Sequence, residues 1–92
     1  MTSHILARQS TATFFMPCYC VQSRAATGPM RTYWVNAHSC KVARALVALN
    51  VAGSQGARDK KLFDCFEDDT RIPPPGMIYS HTHGPIPILI VV

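Results

Sequence analysis

Residues 39–53 read SCKVARALVALNVAG, and this stretch carries a full set of helix signals around which the rest of the chain is organised. Ser39 is a residue type that caps helix N-termini, Val42, Ala45, Leu46 and Leu49 recur at helical spacing, and Gly53 suits the left-handed conformation that ends a helix. The spacing predicts one main helix over about 39–52. Val47 and Val51 point away from the Val42–Leu49 face, so the polar stripe narrows to Lys41 and Arg44 and the helix needs cover on most sides. Burying Val42, Leu46 and Leu49 contributes about 1.5–3 kcal/mol each, while ordering each backbone unit costs about 1–2 kcal/mol, so the helix does not stand alone. Lys41 also sits in the first turn, where the helix dipole favours negative charge. Val42, Leu46 and Leu49 are the predicted partner-binding residues.

Upstream, MRTYWVN (30–36) is rich in aromatic and β-branched residues and reads as a strand, with Trp34 expected to pack on the helix. Downstream, SQGARDKK (54–61) reads as a loop. Asp59 is placed to cap a second short helix over about 60–67, in which Leu62, Phe63 and Phe66 share a face. Pro73, Pro74 and Pro75 enforce an extended linker up to Gly76. It separates a small domain or partly ordered region, 1–72, from a β-prone apolar tail, 77–92. The five aliphatic residues Ile88 to Val92 are expected to form a buried strand, with Pro87 confined to an edge or a strand start.

The expected fold class is α+β, small and marginally stable: one main helix, a second short helix, a few short β-segments and partial disorder. Ninety-two residues allow one small core and leave no room for a catalytic domain beside a cofactor domain. The charged fraction is 15%, below the usual value of about 25%, so solubility is less secure than foldability. Residues 1–58 carry six basic residues and no acid, whereas residues 59–92 carry three basic and five acidic ones. The first half is a weak polycation whose arginines and lysine stand apart from one another; no nucleic-acid-binding signature accompanies them, and nucleic acid is not an expected partner. Residues 1–16 combine Arg, Ser and Thr without acids, as mitochondrial presequences do, but their apolar residues do not line one helical face; a short strand stopped by Pro17 fits as well. No stretch reaches the about 20 apolar residues that a transmembrane helix needs.

Four cysteines and four histidines supply the remaining chemistry. The segment before Pro17 lacks the layout of a secretory signal, so reduced thiols in an intracellular compartment, cytoplasmic or nuclear, are expected, with mitochondria as the alternative. Cys18, Cys20, His38 and Cys40 form a C-x-C plus H-x-C set that two neighbouring strands would aim at one zinc ion. His81-Thr82-His83 resembles the H-x-H-x-D-H zinc loop of metallo-β-lactamase-type hydrolases, with Pro85 and Ile86 standing where the family has Asp and His. It also resembles the H-x-H-P of JAMM-type isopeptidases, with Gly84 replacing the proline and Val91 the serine. Each resemblance covers a handful of residues and implies a metal site that this chain does not complete. Cys65 lies among acids, which disfavours its thiolate, and GSQGAR lacks the ending of a phosphate loop.

These observations point to a non-enzymatic interaction or regulatory protein, without a cofactor, that binds another protein through its helix or apolar tail. A small zinc-binding module and a mitochondrial or membrane-surface protein are the alternatives. Local signals conflict along the chain, from the reversed dipole pattern to the apolar tail, as expected of a sequence not long under selection for one fold.

Overall fold

The computed structural model describes residues 16–24 and 28–92. The expected presequence or strand before Pro17 lies outside them apart from Met16. Among the described residues, five antiparallel strands form one sheet in the order β3-β1-β2-β4-β5: β1 (Cys18–Ser23), β2 (Thr32–Asn36), β3 (Phe63–Glu67), β4 (Met77–Ser80) and β5 (Gly84–Pro87). One helix, α1 (Cys40–Asn50), packs across β1, β2 and β3, and a 3₁₀ turn (Gln55–Arg58) follows it. The fold is α+β.

The helix forms where the periodicity places it. Ser39 is its N-cap, and the Ser39 hydroxyl oxygen accepts the Val42 N–H at 3.3 Å. At the other end the Val51 N–H donates to the Val47 carbonyl at 3.0 Å, and the buried Ser54 hydroxyl lies 2.7 Å from that carbonyl and 2.6 Å from that of Val51, which fastens the chain leaving the helix to its last turn. Gly53 follows at φ +81°, and its carbonyl accepts Arg31 Nη1–H at 2.6 Å.

Alternation along the strands sorts the core into two. Val21, Tyr33, Val35 and Ile78 meet Ala43, Leu46, Val47 and Val51 of the helix side in the main core. Cys18, Cys20 and Trp34 point to the opposite face, where Tyr79 packs against them. Trp34 therefore does not touch the helix as expected: with Tyr33 and Val35 facing α1, the two-residue period of β2 turns the residue between them away.

The second short helix expected over 60–67 is strand β3. Asp59 caps no helix; its Oδ1 accepts the Lys61 N–H at 2.9 Å in a tight turn. Phe63 to Glu67 then pair in register with Ser23 to Tyr19. Three residues on one helical face are a weaker signal than five backbone units that the free edge of β1 can pair.

Proline residues 73–75 connect β3 to β4 within this sheet, because β4 pairs with β2 and β5 with β4. Ile88 N–H donates to the Gly76 carbonyl at 2.9 Å, which places Gly84, Ile86 and Ile88 in hydrogen-bonded positions on β4. Pro85 and Pro87 then occupy the outward positions, where any other residue would expose an unpaired N–H. The β5 edge is closed to further pairing. Replacing both, Pro85→Val with Pro87→Val, reopens it; sedimentation velocity is expected to show concentration-dependent association that the parent chain lacks.

Arg44, expected on the exposed polar stripe, is 8% exposed. Its Nη1 donates to the Phe63 carbonyl at 2.6 Å and to the Ala57 carbonyl at 3.3 Å, joining α1 to the start of β3 and to the 3₁₀ turn. Arg44→Met leaves two carbonyls without donors and is expected to cost about 2–4 kcal/mol in urea unfolding, against less than about 0.5 kcal/mol for Lys41→Ala.

Candidate interaction surface

Beyond Ile88 the chain leaves the sheet. The expected buried strand 88–92 does not form: Ile88 is partly buried against the core, while Leu89 and Val91 are 82% and 79% exposed and Ile90 and Val92 are exposed as well. The reason is a competing partner for the backbone. Asn50, in the last turn of α1, accepts the N–H groups of Leu89 and Ile90 on its Oδ1, both at 2.8 Å. Its Nδ2 donates to the Ile90 carbonyl at 2.8 Å and to the Leu46 carbonyl at 2.9 Å. One amide side chain thus holds the tail in place by its main chain and leaves its aliphatic side chains in water.

The helix residues expected to bind a partner are divided by the fold. Leu46 is buried in the main core and is unavailable, Val42 is partly buried against that core, and Leu49 remains exposed. The helix turns Ala43, Leu46 and Val47 to the sheet, so the Val42–Leu49 stripe is only partly outward.

Beside the tail lies a cleft of about 830 Å³ lined by Cys40, Lys41, Val42, Arg44, Ala45, Arg58, Lys60 and Val92. Lys41, Arg58 and Lys60 stand at its exposed rim and Arg44 in its wall. Among the described residues the single ion pair is Arg24 with Asp64, at 2.8 Å, so none of the cleft cations is neutralised by a carboxylate.

Part of the outer face of the sheet is covered by the irregular segment that follows β3. Arg71 lies over the Tyr79 ring, 4.6 Å from its centroid, and 5.6 Å from that of Trp34. Trp34 Nε1–H points to Asp68 Oδ2 at 3.5 Å. The Thr70 N–H and hydroxyl, then the Trp34 N–H, hold the Asp68 carboxyl below the usual range against a smaller opposing effect of desolvation. Glu67, Asp68 and Asp69 rim a neighbouring depression of about 380 Å³, so this face offers negative charge beside the exposed ring of Phe66, which pairs with Cys20.

The proposed zinc ligands are not brought together. Cys18 and Cys20 lie on the outer face, whereas Cys40 begins α1 on the other side of the sheet, and His38 is exposed in the connection before it. No three His, Cys, Asp or Glu side chains are grouped to hold a metal among the described residues. The unpredicted neighbour of Cys40 is Cys65, whose Sγ lies 3.9 Å from the Cys40 carbonyl oxygen and whose thiol contacts the Cys40 side chain. His81 and His83 stand in the turn between β4 and β5, both exposed; Gly84 at φ +77° completes that turn. No helix among the described residues is long and apolar enough to cross a membrane.

Comparison with known protein families, curated proteins and solved structures yields no match to this chain.

Burial pushes the Cys18 and Cys20 thiols up from 9.0 to about 11, helped at both by Asp68. Burial, then the Cys40 thiol, pushes Cys65 up as well. A raised folded-state pKa means that unfolded thiols lose protons first, so stability is full below pH 9 and declines as the pH rises through about 11. The urea midpoint is expected to fall across this window, and the fall to be shallower in Cys18→Ala/Cys20→Ala.

Proposed function

We propose that this chain is a non-enzymatic interaction protein that binds a partner protein through its aliphatic tail, Leu89 to Val92, together with Leu49. The observation that carries this reading is the Asn50 clamp: three hydrogen bonds of 2.8 Å hold the backbone of Leu89 and Ile90 while their side chains face solvent. A run of four exposed aliphatic residues has an unfavourable hydration that a partner surface relieves. Because the clamp has already ordered the segment, binding loses less conformational entropy than it would for a free tail.

Thiol chemistry supports binding over turnover. Nucleophilic cysteines need depressed pKa values, and Cys18, Cys20 and Cys65 are shifted the opposite way. Buried free thiols suit a reducing intracellular compartment.

A photo-crosslinking residue placed at Leu89 in the intact chain, inside cells, is expected to give one adduct of defined size. A crosslinker at Thr70, on the far side of the sheet, is expected to give none. Asn50→Ala should weaken the adduct at Leu89, and Val91→Ser should abolish it. Equal adducts at both positions, or an adduct indifferent to both substitutions, would show that the tail does not recognise a partner.

A further inference from the structure

The cleft beside α1 combines two properties that a solvated basic patch does not need: apolar walls and a buried cation. Val42, Ala45 and Val92 contribute aliphatic surface, and Lys41, Arg58 and Lys60 bring methylene stems as well as charge. Its volume of about 830 Å³ is that of a small-molecule site.

Arg44 is the sharper feature. The residue as a whole is more than nine-tenths buried, and its guanidinium is held only by backbone carbonyls, both through Nη1. Those carbonyls satisfy hydrogen bonding but leave the positive charge without a counter-ion. Its Nε and Nη2 groups make no hydrogen bond with the described residues, and no buried side-chain nitrogen or oxygen there lacks a partner. These groups are therefore not fully shielded from solvent, and Arg44 lines the cleft. Asp59 is the single acid in residues 39–63, and its Oδ1 is occupied by the Lys61 N–H.

We propose that this cleft binds an anionic amphiphile, a carboxylate carried on an aliphatic chain. The carboxylate pairs with the Nε and Nη2 fork of Arg44, a planar match that supplies the missing counter-ion. Lys41, Arg58 and Lys60 add attraction at the rim. The chain lies against Val42, Ala45 and Val92, where its burial provides most of the binding free energy. The site shares Val92 with the tail assigned to protein binding but does not use Leu89 or Val91.

The test uses the full chain and amide chemical-shift mapping with sodium decanoate. Decanoate is expected to shift the amides of residues 40–45 and 58–60, and to bind at least about tenfold more tightly than decanol, which lacks the charge, or acetate, which lacks the chain. Because Arg44→Met removes a structural contact, the charge is tested at the exposed rim. Lys41→Glu/Lys60→Glu should weaken decanoate at least about tenfold while keeping the dispersed spectrum. Leu89→Ser/Val91→Ser should leave it unchanged. Equal binding of decanol, or shifts confined to residues 89–91, would overturn the site. A Leu- and Glu-bearing amphipathic peptide that shifts the same amides at lower concentration than decanoate would overturn the assignment to a small amphiphile.

Discussion

The bond between Arg44 and the carbonyls of Phe63 and Ala57 is the contact on which the described architecture turns. The helix alone is too short to persist, and the sheet alone leaves one face of Val21, Val35 and Ile78 bare. Apolar packing joins the two without specifying where the return segment after the helix must lie. The Arg44 guanidinium does specify it, because Nη1 finds its acceptors only when the 3₁₀ turn and the first residue of β3 come to it. Once β3 is set there, it pairs with the outer edge of β1 and completes that side of the sheet.

The opposite edge is governed by a different constraint. Alternating prolines in β5 leave every ladder position on β4 intact and remove the donors that would face outward. Past Ile88 the backbone must find other partners, and Asn50 supplies them from the end of the helix. The surface most suited to recognition follows from this hand-over. A main chain held by one amide cannot also tuck its side chains into a core that Ile88 and Ile86 already fill. The aliphatic tail, the exposed Leu49 and the basic cleft thus lie along the helix side of the molecule, while Asp68 and Arg71 cover Trp34 and Tyr79 on the outer face.

Much of this was legible from residue order. The helix and its Ser39 cap are local features, set by hydrogen bonds and side chains within a few residues, and they appear where the pattern puts them. The strand at 32–36 and the edge position of Pro87 are local in the same sense. The errors share a cause. The side that Trp34 faces, the state of Phe63 to Glu67 and the exposure of Leu89 to Val92 each depend on which distant segment pairs with the backbone there. The candidate site was less legible still: Asn50 and Arg44 are ordinary residues in a helical pattern, and the tail they hold or flank lies about forty residues away.

The amino-acid order by itself determined the helix, its cap, the left-handed Gly53 and the mixed α+β character, since propensity and capping act within one or two turns of chain. Tertiary structure alone decided which face of β2 meets the helix, that Cys18 and Cys20 are parted from Cys40 by a sheet, that Arg44 is buried, and that the last aliphatic residues stay in water. Those outcomes are settled by pairing and burial between segments far apart in sequence, where the backbone takes whichever partner satisfies its hydrogen bonds once the core is full.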